Sequence, residues 1–145
     1  MIDRVVSICQ GRVRRTAKTF TVEAPAGLPP ISSDPLALEQ ILVNLLINAT
    51  QALDKEESRV TLKVALGETR DERFIIEVSD NGCGMDAATR RKIFDPFFTT
   101  KPAGAGTGLG LSIVHRLVEE LGGRIEVVSE PGQGTTFRLF FSNKD

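Results

Sequence analysis

From residue 104 to residue 110 every second position is glycine, and the run leads directly into an apolar-periodic segment: Gly104-Ala105-Gly106-Thr107-Gly108-Leu109-Gly110-Leu111. Such a stretch is a poor helix or strand in its own right, because glycine loses the most backbone freedom on ordering. The segment after it can fold. Gly110, Ile113, Val114, Leu117, Val118 and Leu121 share one helical stripe and Gly122-Gly123 terminate it, so a helix is expected over Gly108 to Leu121. Backbone N–H groups at a helix N-terminus, bared by glycine, bind phosphate. The run is not a dinucleotide fingerprint, because the third glycine of G-x-G-x-x-G is missing and no strand precedes it. Nor is it a Walker loop, because no G-K-[ST] closes it. The competing reading is a flexible linker, which Leu109 and Leu111 weaken by continuing into the helix. Lys101, just upstream, either adds charge to a phosphate or is an exposed loop lysine.

The remaining punctuation predicts an α+β chain. Met1 to about Lys18 has apolar residues at Val5, Val6, Ile8, Cys9 and Val13, compatible with an amphipathic helix that Gly11 weakens. Thr19 to Glu23 alternates as a short strand and ends in a Pro/Gly-rich loop, Ala24 to Pro30. Asp34-Pro35 supplies an N-cap and a first-turn proline for a helix to about Leu53. Arg59 to Leu66 and Arg73 to Ser79 alternate as strands that Gly67 to Glu72 can join as a hairpin. Asp86 caps a short helix to about Phe94, and an aromatic, then glycine-rich, loop runs from Phe94 to Thr107. Strands at Arg124 to Ser129 and Thr135 to Phe141 are joined by the turn Glu130-Pro131-Gly132-Gln133-Gly134. Helices among mostly hairpin-linked strands suggest a two-layer sandwich with helices on one face of a mixed sheet.

Two further segments carry chemistry. On the helix after Asp34, Gln40, Asn44, Asn48 and Gln51 form one polar stripe. An Asn oxygen suits a hard cation such as Mg²⁺ and its amide suits phosphate, so two of them one turn apart can hold a metal-bound polyphosphate. A solvated stripe, or amides bonded to backbone, is the equal alternative. Asp80 ends a strand and is followed by Asn81-Gly82-Cys83-Gly84-Met85. A D-N-G hairpin turn is one reading, but Asp86 to Arg91 beyond it looks like a helix entry and not a partner strand. A carboxylate at a strand end, beside glycines that let a planar ring approach, suits the amino group of a base.

Composition narrows the classes. The 145 residues fit about one domain. With 18 Lys+Arg against 19 Asp+Glu, the net charge of -1 offers no field for nucleic acid or an anionic membrane. At 41% hydrophobic and 26% charged residues the chain is ordinary globular material. Its longest apolar stretch, Ile41 to Ala49, is cut by Asn44 and Asn48 and falls well short of the ~20 residues of a membrane span. The N-terminus lacks the apolar core of a signal peptide, so a cytoplasmic chain is expected. Cys9 and Cys83, without C-x-x-C spacing, and one His leave zinc short of ligands.

In order, N-L-L-I-N-A (Asn44 to Ala49), D-N-G-C-G-M (Asp80 to Met85), F-D-P-F-F-T-T-K (Phe94 to Lys101), G-A-G-T-G-L-G-L (Gly104 to Leu111) and P-G-Q-G-T (Pro131 to Thr135) resemble the catalytic ATP-binding domain of bacterial sensor histidine kinases. The match spans roughly Ile31 to Phe141, with the N-terminal helix, 1–18, ahead of it. The resemblance extends to gyrase, the heat-shock-90 chaperones and mismatch-repair ATPases, and implies the Bergerat α/β sandwich. It implies Asn48 as the Mg²⁺ ligand, Asn44 as its companion near the phosphates, and Asp80 as the acceptor for the adenine amino group, with Gly82 and Gly84 giving the base room beside Met85. Gly104, Gly106, Thr107, Gly108, Leu109, Gly110 and Leu111 would form the lid hinge and phosphate cradle. Phe97 and Phe98 would anchor a lid that carries Thr99, Thr100 and Lys101, and Thr135 would support Asp80. Gln51 departs from the pattern: many of these kinases have Lys or Arg there, which shifts the phosphate contact toward Lys101.

Hydrolysing relatives and sigma-factor-binding serine kinases resemble each other in having a carboxylate one turn before the metal-binding Asn. Here that position is Asn44, and an amide is no base at neutral pH. The resemblance therefore implies transfer of the γ-phosphoryl group to an already basic nucleophile such as imidazole. His115 lies about 130° from the centre of its helix's apolar stripe, without the H-E-x-x-x-P pattern of an acceptor, and reads as a solvent-facing structural residue. The acceptor is then expected on a dimerisation/phosphoacceptor domain preceding Met1 in a longer kinase, with or without a membrane anchor. A response regulator receiver domain would be the indirect partner, and the isolated domain would be a monomer. The alternatives are a non-catalytic ATP-binding module, against which the intact boxes count, and a sigma-factor-binding serine kinase, against which Asn44 counts.

Overall fold

The computed structural model describes residues 2–24, 34–67, 74–95 and 110–141. Helix α1 (Ile2–Thr16) leads into β1 (Thr19–Glu23). Then come α2 (Pro35–Gln51), β2 (Arg59–Leu66), β3 (Phe74–Asp80), the one-turn α3 (Ala87–Arg90), α4 (Gly110–Glu120), β4 (Arg124–Glu130) and β5 (Gly134–Phe141). The five strands form one mixed sheet in the order β1-β2-β3-β5-β4, with β1 parallel to β2 and the other pairs antiparallel. The expected α+β class and both expected hairpin pairings are present.

Local chemistry sets the boundaries. Asp34 caps α2 by accepting the Ala37 N–H at 3.1 Å, and Asp86 caps α3 by accepting the Thr89 N–H at 2.7 Å. At the end of α4 the Gly123 N–H reaches the Val118 carbonyl at 2.9 Å and the Gly122 N–H reaches Glu119 at 3.0 Å, the paired bonds of a Schellman stop. Helix α2 closes at Gln51, short of the expected Leu53, and the Ala52 carbonyl turns to accept the Cys83 N–H at 2.9 Å. Helix α3 is shorter than expected: only Ala87–Arg90 are helical, and turns continue to Phe94.

One face of the sheet is the core. Leu62, Val64, Ile76, Val78, Phe137 and Leu139 meet Leu38, Ile41, Leu42, Leu45 and Leu46 of α2, all at most 2% exposed. Each fully buried side chain of this size contributes about 1.5–3 kcal/mol. Helices α1 and α4 flank α2 and add Val5, Cys9, Val13, Val114 and Val118. The stripe of α1 is Val5, Cys9 and Val13, continued by Ala17 just past its end, and Ile8 does not belong to it. At 53% exposure Ile8 lies outside the 4-residue row that faces α2.

The other face is organised in cross-strand rows. Strand registry aligns Glu23, Lys63, Glu77, Arg138 and Glu126, one from each strand, in alternating charge. Arg138 Nε meets Glu77 Oε1 at 2.7 Å. One row over, Thr21, Thr61, Ser79 and Thr136 align, with the Ser79 and Thr136 hydroxyls 2.9 Å apart. On the other side, Ala65, Ile75 and Phe140 align, and Arg124 lies over the Phe140 ring. Opposite charges and hydroxyl pairs across strands suit a face turned to water and stabilise the registry by about 0.2–1 kcal/mol per pair.

Candidate functional site

Asp80 is the last residue of β3 and only 8% exposed. Its Oδ1 accepts the Gly82 N–H at 2.8 Å, and the Thr135 N–H also stabilises the anion. Burial raises its carboxyl from 3.8 to about 6, against the pull of the Gly82 and Thr135 N–H groups and the charge of Lys55, while Asp54 pushes the same way as burial. The group is therefore mostly ionised at neutral pH. A carboxylate has about four lone-pair positions, so two N–H donors leave it able to accept from a ligand.

Two loops frame Asp80 by backbone-to-backbone contact. Gly84 has φ +68°, and a Cβ there would lie 2.0 Å from the Glu130 carbonyl oxygen; Gly134 has φ +93°, and its Cβ would lie 2.0 Å from the Asp80 carbonyl oxygen. At Gly82 a Cβ would fall 2.1 Å from the Ala52 carbonyl oxygen. A side chain at either glycine would meet the protein's own backbone, and at Gly82 also the Asp80 Oδ1 at 2.9 Å, which by itself requires glycine at both positions. Behind the loops, Ser129 Oγ accepts the Met85 N–H at 2.8 Å, pairs with Thr135 Oγ1 at 2.9 Å and donates to the Gly134 carbonyl at 3.0 Å. Asn81 ties the sheet end, accepting the Arg59 N–H through Oδ1 at 2.7 Å and donating through Nδ2 to the Glu57 carbonyl at 2.8 Å. Lys55 Nζ donates to the carbonyls of Asn81, Gly82 and Gly132 at 2.6, 3.1 and 2.6 Å.

Asn44 and Asn48 lie one turn apart on α2, half-buried, between the exposed Gln40 and Gln51. Neither amide has a hydrogen-bond partner among the described residues, which leaves a solvated stripe or a ligand-binding pair as the two readings. Met85 is half-buried against the core, and Leu111 joins the core from the first turn of α4. Nothing lies within 4 Å of a Cβ built on Gly110. His115 is not simply solvent-facing: its side chain is 41% exposed, its ring lies 5.1 Å from that of Phe94, and its Nε2 is 3.6 Å from Glu119 Oε1. An aromatic contact from the α3 end of the chain holds it. Phe97, Phe98, Thr99, Thr100, Lys101, Gly104, Gly106, Thr107, Gly108 and Leu109 lie outside the described residues.

Sequence reasoning missed Lys55 and Ser129. Lys55 sits in a charged run, Asp54-Lys55-Glu56-Glu57, that reads as a solvated surface. Ser129 left a usable signal, being the polar member of the inward series Ile125, Val127, Ser129 on β4.

The family described as histidine kinase-, DNA gyrase B- and HSP90-like ATPase matches residues 33–145. The signal transduction histidine-protein kinase AtoS of Escherichia coli (strain K12) is 43% identical over 139 residues, which is 96% of this chain and 22% of that protein. The sensor histidine kinase ZraS of Klebsiella oxytoca is 42% identical over 127 residues, 88% of this chain and 26% of that protein. This chain therefore spans about a quarter of the length of these relatives or less. Among solved structures, a nucleotide-free catalytic domain of the histidine kinase ThkA superposes with a TM-score of 0.79 at 27% identity, covering 97% of this chain and 89% of that one. Full-length ShkA in complex with AMPPNP gives a TM-score of 0.79 at 28% identity, covering 99% of this chain and 30% of that one.

Proposed function

The chain belongs to the histidine kinase-, DNA gyrase B- and HSP90-like ATPase family, and on that premise we propose that residues 1–145 form the catalytic ATP-binding domain of a sensor histidine kinase. It works in the cytoplasm and donates the γ-phosphoryl group of ATP to a histidine on a separate dimerisation/phosphoacceptor domain. A response regulator receiver domain then takes the group from that histidine. The observation that carries the reading is Asp80: a carboxylate buried at a strand end, fixed by two N–H groups, with acceptor capacity left for the adenine amino group.

Asn44 and Asn48 fit a metal-bound polyphosphate, since both amides are half-buried and without partners among the described residues. Asn48 would hold Mg²⁺ through its amide oxygen, a hard donor, and Asn44 would lie toward the phosphates. When bound, Mg²⁺ neutralises charge on the phosphates. Lys101 and the glycines from Gly104 to Gly110 would contribute the remaining phosphate contacts, the backbone N–H groups at the start of α4 among them. Asn44 cannot deprotonate water or a serine hydroxyl, so the site favours an acceptor that is nucleophilic without help, as imidazole is. His115 lies beside Phe94 and Glu119 on α4 and lacks the H-E-x-x-x-P pattern of an acceptor, so the acceptor is assigned to the separate domain.

The test mixes the chain with the two-helix acceptor segment of its parent kinase and γ-labelled Mg-ATP. Label should appear on the acceptor as an acid-labile, base-stable phosphoramidate, with slow hydrolysis and no label on this chain. Asp80→Asn should abolish the signal by abolishing ATP binding. ATP binding without any transfer to the acceptor would replace this reading with a non-catalytic module.

A further inference from the structure

The Lys55 ammonium has three N–H donors, and three carbonyls take them. Asn81 and Gly82 belong to the loop after β3, whereas Gly132 belongs to the β4–β5 turn, 77 residues from Lys55 in sequence. The Asn81 carbonyl is part of the same peptide group as the Gly82 N–H, and that N–H donates to Asp80 Oδ1 at 2.8 Å. One peptide unit therefore joins the ammonium to the carboxylate: Lys55 polarises the carbonyl end, which strengthens the donor at the other end. We propose that Lys55 is a positioning residue for base recognition at Asp80, holding the two framing loops together and keeping the carboxylate in its charged, accepting form. The inference rests on the reading of Asp80 as the acceptor for the adenine amino group.

The electrostatic surroundings make Lys55 hard to replace. The segment after α2 turns two charges toward Asp80, Lys55 and Asp54, and they oppose each other. From the β4–β5 side come Thr135 and Ser129, which are uncharged, and from the loop after β3 comes the Gly82 N–H. Among the described residues Lys55 is the cation that lowers the Asp80 carboxyl, adding to the larger effect of the Gly82 and Thr135 N–H groups. Without it, Asp54 and desolvation act unopposed by any positive charge.

The experiment measures binding of ATP, GTP and Mg-tripolyphosphate by calorimetry between pH 5 and pH 8. It compares the parent chain with Lys55→Met, Lys55→Gln, Lys55→Arg and Asp80→Asn, folding being checked by circular dichroism. GTP presents a carbonyl where ATP presents the amino group, so the ATP/GTP ratio reads Asp80 directly. Lys55→Met is expected to weaken ATP by about two- to tenfold at pH 7, lower the ATP/GTP ratio and move the acid midpoint of ATP binding upward, leaving Mg-tripolyphosphate unchanged. Lys55→Arg should return the midpoint toward the parent. Lys55→Gln, which keeps two donors without the charge, should still show the raised midpoint, and it carries the test if Lys55→Met does not fold. Equal loss of ATP and Mg-tripolyphosphate with an unmoved midpoint would overturn the inference and leave Lys55 a fastener of the fold. If Asp80→Asn abolishes ATP binding while every Lys55 variant keeps the parent midpoint and ratio, the inference alone falls. If Asp80→Asn binds ATP as the parent does, the adenine reading falls and takes the inference with it.

Discussion

At the end of β3, polar atoms are taken up by the protein itself. Asp80 holds two N–H groups, Asn81 bonds through both ends of its amide, Ser129 bridges three neighbours and Lys55 uses all three donors. In the middle of α2 the amides of Asn44 and Asn48 have no such partners among the described residues, although both side chains are half-buried. The two regions are thus built on opposite principles. Around Asp80 the protein's own N–H groups offset part of the desolvation cost and fix the carboxylate in place, although burial still raises its pKa to about 6. Along α2 the amides of Asn44 and Asn48 are left unbonded by the described residues. Backbone-crowding substitutions in the first region should therefore disturb the fold, whereas substitutions in the second should leave stability nearly unchanged.

The sharpest way to break this contrast is Gly134→Ala. A methyl group there meets the Asp80 carbonyl oxygen at 2.0 Å on a backbone with φ +93°. Urea unfolding should show a loss of about 3 kcal/mol or more. Stability equal to that of the parent would mean that the two loops are not a rigid frame.

Acid should separate fold from binding at Asp80. Its folded pKa, about 6, lies above the ordinary 3.8, so between those values the folded state holds more protons than the unfolded one. This group's stabilisation is therefore complete below 3.8, and it is lost as pH rises through about 6, a swing of about 3 kcal/mol at most. Affinity for ATP should move the other way, falling about tenfold between pH 7 and pH 5 as the acceptor is protonated. Parallel unfolding and calorimetric titrations over this range check both signs. An affinity that is flat across the range would sink the role of the carboxylate.

On the α2 side, Asn48→Ala should change stability by no more than about 0.5 kcal/mol, while Mg-dependent ATP affinity drops about tenfold and metal-free affinity much less. Titrations with and without EDTA read the difference, and equal losses in both would contradict a metal ligand. The smallest effect is expected at His115→Ala. It removes the Phe94 contact and the pair with Glu119, costing up to about 1 kcal/mol in urea unfolding. Phosphoryl transfer to the acceptor segment should be unchanged.

Much of the architecture was legible because it is written in local periods and caps. Asp34-Pro35 opens α2, Gly122-Gly123 closes α4, and β1 and β2 have the bounds that their alternation marks. The misplacements have tertiary causes. Ile8 fits a helical stripe by composition, yet the row facing α2 is Val5, Cys9, Val13 and Ala17, and only the neighbouring helix decides which row is covered. Asp80, Asn44 and Asn48 could be named as candidates from residue type and spacing. Whether their polar atoms were already satisfied could not, because the Thr135 N–H that stabilises the Asp80 anion comes from β5, 55 residues along the chain.

By itself, then, the sequence determined the order and kind of the elements, the inward faces of the strands and the resemblance of five boxes, since each depends on residues within a turn or two of one another. The tertiary structure decided what those boxes are for physically. Gly82, Gly84 and Gly134 are glycine because Ala52, Glu130 and Asp80 bring their carbonyls to within about 2 Å of where a Cβ would stand. Lys55, unremarkable in a charged run, becomes the tie between two loops because strand pairing brings Gly132 beside Asn81. No local pattern encodes that meeting, because it is created by the packing of β3 and β4 on either side of β5.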